Sequence, residues 1–333
     1  DRLHVVFMGC GRRGGAFYSI VEEQYNTDLS YICDVKASQR ERVFNDMGGR
    51  LSYTPQGIED IRVALDDEEV DAIFIATPDH WHAPAAWMSM EAGKHVYVEK
   101  PLTHNPAEQE ALIGYQNRYN RVLQMGNQQR SSSHTKKIIE DIHNGLIGRP
   151  YKAVAYYNNT RGRVINPVRQ APPADLNWDL FQGPAPREPY RHDTWNYNWH
   201  WYGWKWGTAE SGNNALHELD VARWALQTDF PEKVVVQAEK NHFHDDGWTM
   251  YDTMYATYHF PDDKVINWDG KSRNGYSTYG GGRGTIIYGT EGTVWVDRYY
   301  YELFDRSGNR IEKSNETNEG STGLGGGGST SKQ

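Results

Sequence analysis

Short apolar runs alternate with amphipathic stretches through the first third of the chain. Leu3–Met8, Leu29–Cys33, Ala72–Ala76, His95–Val98 and Val122–Met125 read as strands, and Arg13–Gln24, Lys36–Met47, Ala83–Ala92 and Pro106–Tyr119 read as the helices between them. Several of these strands are nearly all apolar, as strands covered on both faces are. The rhythm predicts an α/β N-terminal domain built on a parallel sheet, over residues 1–125.

Beyond residue 125 the pattern changes. Ser132–Asn144 predicts a helix closed by Gly145, Tyr151–Asn158 a strand with alternating faces, and Leu216–Leu226 another helix. Between them, residues 159–210 are rich in Pro, Trp, Arg and Asn with little periodicity, the mark of a long functional loop region. From Lys233 to Phe304, Val-, Tyr- and Thr-rich runs are split by Asn, Asp and Gly. This predicts an α+β C-terminal domain over 126–315 with a large open sheet, mostly antiparallel or mixed. The Gly/Ser/Thr-rich stretch 316–333 cannot pack a core and reads as a flexible tail or truncated loop.

Composition narrows the classes of function. No apolar run approaches the roughly 18 residues of a membrane helix, so membrane insertion is not expected. The net charge is −9, with no long basic run, which argues against a nucleic-acid partner. The two cysteines, Cys10 and Cys33, both fall in the first domain and read as buried thiols, so they leave the compartment open. Twelve Trp and 22 Tyr, most of them after residue 150, mark the second half as carrying an unusual aromatic surface.

Gly9-Cys10-Gly11-Arg12-Arg13-Gly14 follows the first strand and opens the first helix. The first glycine permits a tight turn, the second lets a pyrophosphate approach the backbone, and the third lets helix and strand pack closely. The helix start then offers free N–H groups to the phosphates. Asp34 ends the second strand 20 residues past Gly14, where a carboxylate holds a ribose 2′-hydroxyl and repels a 2′-phosphate. The first domain therefore reads as a Rossmann domain for NAD rather than NADP.

Further motifs add a resemblance. Thr77-Pro78-Asp79-His80-Trp81-His82, Glu99-Lys100-Pro101 and the block Gly212–Trp224 resemble signatures of the Gfo/Idh/MocA oxidoreductases, a family that includes glucose–fructose oxidoreductase and inositol dehydrogenases. Gly183-Pro184-Ala185-Pro186 and Trp195–Trp201 resemble a branch often exported from bacteria, where scarce free NAD makes a tightly held cofactor the expectation. The resemblance implies that Thr77, Pro78, His80, His82 and Glu99 join Arg12, Arg13 and the glycines around the cofactor. It places Lys100 beside both the nicotinamide and the reacting carbon.

A lysine there suits the chemistry, since hydride leaves a carbinol carbon more readily when the developing oxyanion meets a fixed cation. The resemblance also implies an Asp and a His four residues apart on one helix face. His217 holds the histidine position and is expected to take the hydroxyl proton. The aspartate position holds Asn213, which can orient a ring but cannot stabilise an imidazolium as a carboxylate does.

For the substrate, Trp199, His200 and Trp201 suit a sugar, with flat rings for the C–H faces and polar tips for hydroxyls. Arg130, Tyr157 and Arg161 are further pocket-lining candidates. No His/Asp cluster, including His242, His244, Asp245 and Asp246, offers a convincing metal shell. The resemblance implies an NAD-dependent dehydrogenase of a sugar, glycoside or polyol, assembled as a homodimer or homotetramer. Two alternatives stay open: a glycosidase or lyase that oxidises its sugar transiently with retained NAD, and a non-catalytic sugar-binding relative.

Overall fold

The structure, a computed structural model, describes residues 2–21, 26–192, 194 and 197–314. The tail expected over 316–333, and Gln24, Trp195 and Asn196, lie outside the described residues. The chain divides into two compact units, one of Asp1–Gly126 with Ile165–Thr208, the other of Asn127–Val164 with Ala209–Gln333.

The first unit holds β1 (Leu3–Met8), β2 (Thr27–Cys33), β3 (Gln56–Ile58), β4 (Ala72–Ile75), β5 (His95–Val98) and β6 (Leu123–Met125). They form one parallel sheet in the order β3-β2-β1-β4-β5-β6. One face buries Val6, Ile73, Ile75 and Val98 against Ala83, Ala86 and Met90 of the helix Asp79–Glu91. On the other face Phe7, Phe17, Phe74 and Tyr97 meet ring to ring. The strand order reverses between β1 and β4, and ligands of such sheets bind beyond the strand ends at that reversal. The glycine turn follows β1 and Thr77 follows β4, so both motifs lie there.

Three local departures have physical causes. The helix expected over Arg13–Gln24 is a 3-10 helix, Gly14–Val21, whose start carries two glycines, poor α-formers. The helix expected at Ala83 begins at Asp79, where Pro78 provides an extended N-cap and Asp79 a negative charge for the first turn. The three-residue β3 is too short to leave a period in the sequence.

Residues 165–208, placed from sequence in the second domain, cluster instead with the first unit. Main-chain bonds tie them to the end of β2: Ala37 N–H donates to Asp175 O and Asn177 N–H to Val35 O, both at 2.9 Å. A long apolar-aromatic segment without periodicity gives no sign of which sheet it covers.

The second unit is an eight-stranded sheet of β7 (Pro150–Asn158), β8 (Lys233–Glu239), β9 (Thr253–His259), β10 (Val265–Lys271), β11 (Arg283–Gly289), β12 (Gly292–Val296), β13 (Tyr301–Asp305) and β14 (Arg310–Lys313). Its order is β14-β13-β12-β11-β7-β10-β9-β8, with β7 and β10 parallel and the other neighbours antiparallel. Helices Ser133–His143 and Leu216–Leu226 pack Ile138, Ile142, Val221 and Ala225 onto Ile266, Ile287, Val294 and Val296. Among the described residues no helix is long and apolar enough to cross a membrane. Cys10 and Cys33 are buried free thiols.

Candidate active site

The glycine turn is shaped by close approach. Gly9 has φ +86°, and a Cβ there would lie 2.6 Å from the Ala76 carbonyl carbon and 2.7 Å from Thr77 N. A Cβ on Gly14 would lie 2.3 Å from Gly9 O. A Cβ on Gly11 would meet nothing within 4 Å. The first and third glycines are thus required by the fold, while the second faces the open space that a pyrophosphate needs.

Asp34 closes the turn from below, accepting from Cys10 N–H at 2.7 Å and from Lys36 N–H at 2.8 Å. Burial raises its pKa above the ordinary carboxylate value, opposed by those two N–H bonds and by Arg40 and Arg42. Each carboxylate oxygen keeps a second lone pair for a ribose hydroxyl. The Thr77 hydroxyl oxygen, buried beside Gly9, has no hydrogen-bond partner among the described residues. An open glycine cradle, a carboxylate at the end of β2 and an unsatisfied hydroxyl fit a dinucleotide.

The Glu-Lys-Pro turn follows β5. Glu99 is buried and forms an ion pair with Arg13 of the glycine turn at 2.7 Å, so the two motifs are tied directly. Lys100 is half-buried and joined to Pro101 by a cis peptide. His82 is buried with Nδ1 2.6 Å from Pro101 O and Nε2 2.9 Å from Thr77 O, so its ring spans the two turns. Its place is positioning the site's backbone. Arg12 is exposed at the turn.

His80 departs from the expected cofactor role. It is 3% exposed, with Nε2 2.8 Å from Phe181 O and Nδ1 3.3 Å from Trp206 O, and burial lowers its pKa to about 4. Beside it, Trp81 Nε1 donates to Phe181 O at 3.0 Å, and Asp79 accepts from Thr208 N–H and Oγ1 at 3.0 and 2.6 Å. Gly183, at φ +48°, leaves room for the Trp81 ring, which a Cβ would meet at 2.2 Å. Half of the Thr77–His82 motif therefore docks the 165–208 segment, a use its sequence does not announce.

Within that segment the aromatics divide. Trp206 packs with Trp178 and Phe181, and Trp201 is 2% exposed, so both are core. His200 is buried, with Nδ1 2.6 Å from Tyr197 O and its ring stacked on Trp199 at 3.5 Å between centroids. Trp201 is thus core rather than a stacking ring, and His200, expected to reach sugar hydroxyls, is held by the Tyr197 carbonyl and the Trp199 ring. Trp199 is half-buried, and Trp204 at 56% exposure is the open ring.

In the second unit Asn213 and His217 are buried, Asn213 in a π-turn (Ser211–Ala215) that leads into the helix Leu216–Leu226. The adjoining row, Glu210, Asn214 and Glu218 at spacings of four, organises a polar network that the sequence reading passed over. Arg161 pairs with Glu210 at 2.8 Å and reaches the buried Tyr157 hydroxyl at 3.2 Å. Asn214 donates to Glu210 and accepts from Arg283 at 3.3 Å, while Arg283 pairs with Glu218 at 2.5 Å. Arg130, in contrast, forks onto Asp220 with two bonds of 2.8 Å and covers Trp224, an exposed structural clamp rather than a pocket lining. Among the described residues no group of three or more His, Cys, Asp or Glu is arranged to hold a metal ion.

A six-stranded parallel sheet in this order, with a glycine turn and terminal aspartate at its reversal, defines a dinucleotide-binding protein of the Rossmann class. Residues 3–127 match the model of the oxidoreductase family with the NAD-binding Rossmann fold, and residues 174–320 match that family's C-terminal alpha/beta domain. The chain belongs to the Gfo/Idh/MocA oxidoreductase family.

It is 26% identical over 149 residues to a myo-inositol 2-dehydrogenase of Thermotoga maritima, covering 45% of this chain and 43% of that protein. It is 27% identical over 193 residues to a glycosyl hydrolase family 109 protein of Saccharopolyspora erythraea, covering 54% and 42%. The matches thus span about two-fifths of the length of these relatives. The fold is similar to that of aldose–aldose oxidoreductase from Caulobacter crescentus, with TM-score 0.69, 18% identity, and coverage of 95% and 84%.

Proposed function

We propose that the protein oxidises a hydroxyl-bearing carbon of a sugar, glycoside or polyol with NAD as acceptor. The observation that carries this reading is the half-buried Lys100, held in a turn that Glu99 ties through Arg13 to the glycine cradle. NAD, when bound, supplies the hydride-accepting ring; Gly9, Gly11, Gly14, Asp34 and Thr77 would hold it. Lys100 stabilises the oxyanion that develops as the hydroxyl proton leaves. His217 takes that proton, with Asn213 orienting its ring and no carboxylate at that position to support the imidazolium. The Asp34 carboxylate supports NAD over NADP, because a 2′-phosphate would meet a like charge.

The test is a carbohydrate panel followed by nicotinamide absorbance. Lys100→Ala is expected to lower kcat about 10²–10³-fold while NAD still binds; unchanged turnover would remove the proposal.

The similarity to a glycosyl hydrolase family 109 protein favours one second reading, glycoside cleavage through transient oxidation with retained NAD. The intact Glu-Lys-Pro turn supports the dehydrogenase. Net NADH formation matching product formation separates the two, since the cleavage cycle leaves NAD unchanged. The edge strand β8 exposes Val234, Val235 and Val236, beside exposed Tyr255 on β9. This apolar edge supports self-association of two copies.

A further inference from the structure

Two side chains clamp the short 3-10 turn Gln128–Ser131 onto the helix Leu216–Leu226. Arg130 forks onto Asp220 with two bonds of 2.8 Å, and Gln129 Nε2 donates to Glu218 Oε2 at 3.1 Å. The main chain of the turn is closed as well. Arg130 N–H donates to Asn127 O at 3.0 Å, and Ser132 N–H to Gln129 O at 3.2 Å. Gln129 is thus a firmly held amide, 6% exposed, against the helical turn that carries His217.

Glu218 fixes which way that amide faces. It is 1% exposed, and its other oxygen, Oε1, accepts from Arg283 Nε at 2.7 Å. A carboxylate only accepts, so the amide presents its nitrogen to Oε2; turned over, it would set oxygen against oxygen. Gln129 Oε1 therefore faces away from Glu218, and among the described residues it is buried with no hydrogen-bond partner. A buried carbonyl oxygen without a donor is unfavourable. The chain Arg283–Glu218–Gln129 holds this oxygen ready for a donor that the described residues do not supply.

The place of the turn points to the donor. β6 ends at Met125, Gly126 N–H donates to Val98 O at 2.8 Å, and the chain then enters the turn. Asn127 and Gln129 thus follow the C-terminal end of β6, as Lys100 follows that of its neighbour β5. Ligands of such sheets bind beyond those ends. Asn127 adds a second buried side-chain oxygen with no partner among the described residues. Arg130, the neighbour expected to line the pocket, is engaged by Asp220 instead.

We propose that Gln129 Oε1 accepts a hydroxyl of the substrate and so selects sugars that keep that hydroxyl free. Sugars with an ether, an ester or a carboxylate there are rejected, since those groups have no proton to donate. A site built for a hydroxyl discriminates against an analogue that lacks it, because the buried partner is then left unpaired. The inference rests on the oxidoreductase reading for its substrate, while its test is read from binding.

The experiment is calorimetric titration of the full-length chain, with and without NAD. The probes are D-glucose, D-galactose, D-xylose and myo-inositol, each beside deoxyfluoro derivatives that replace one hydroxyl at a time. Fluorine is close to a hydroxyl in size and donates nothing. Wild type is expected to bind at least one probe about tenfold or more tighter than a derivative altered at a single position. Gln129→Met, which removes the acceptor, erases that ratio. Gln129→Asn, which withdraws the acceptor by one methylene, erases it too and keeps the amide for folding. Gln129→Glu keeps an oxygen in place and retains part of it. Comparison within a pair cancels any general weakening, so a merely structural Gln129 would leave every ratio unchanged.

Ratios that survive at every position in Gln129→Met and Gln129→Asn would overturn the assignment. So would a wild type that binds hydroxyl and fluorine equally throughout, or that binds none of the probes. NADH formation is followed in parallel. A ratio lost in the variants without wild-type turnover counts against the oxidoreductase reading and leaves Gln129 assigned. Wild-type turnover with every ratio intact in the variants does the reverse.

Discussion

Single positions in the glycine turn separate folding from binding. Gly14→Ala drives a Cβ into Gly9 O and is expected to cost about 1–3 kcal/mol or more in urea unfolding. Gly11→Ala meets no protein atom, so its stability should stay within about 0.5 kcal/mol of wild type. The same change should weaken NAD binding about tenfold or more, measured by titration, because the methyl group enters the pyrophosphate's space. Equal effects of the two variants on stability would contradict this division of labour. At this scale the sequence was a good guide to Gly9 and Gly14, because glycine spacing encodes backbone approach. It was a poor guide to His80, since an imidazole in a motif reads alike whether it meets a cofactor or a carbonyl.

The helix Asp79–Glu91 shows what an element adds to its residues. Its first turn anchors the segment 165–208 through Asp79, His80 and Trp81, and its His82 links the turns after β4 and β5. His80 gives this anchoring a pH signature. Its folded pKa, about 4, lies below the unfolded value of 6.5, so the unfolded chain binds its proton first as pH falls. Stability is therefore full above about pH 6.5 and falls as pH drops toward 4, by about 2 kcal/mol between pH 7 and pH 5. Denaturant titrations at those two pH values should show this loss in wild type and a correspondingly smaller one in His80→Gln. An identical pH slope in the two would rule out His80 as its source.

At the scale of the whole molecule, the edge strand β8 presents its valines to solvent among the described residues. Long apolar edges of this kind pair with other chains unless blocked. Sedimentation of the wild-type protein is expected to show a dimer or larger species, and Val235→Glu should shift it toward monomer without loss of NAD affinity. A monomeric wild type would remove the proposed assembly.

The sequence by itself determined the parallel sheet, the dinucleotide turn and the helix that carries His217, because these depend on local period and on glycines whose constraint is local. Leu3–Met8, His95–Val98, Pro106–Tyr119 and Leu216–Leu226 have the ends that the pattern predicted. Only the tertiary structure decided that 165–208 joins the first unit, that Glu99 pairs with Arg13, and which indoles are core. It alone revealed that Arg161 pairs with Glu210 and Arg283 with Glu218 beside Tyr157. Those partnerships join residues tens to more than a hundred positions apart, and no periodicity along a chain records which distant charge a side chain will meet.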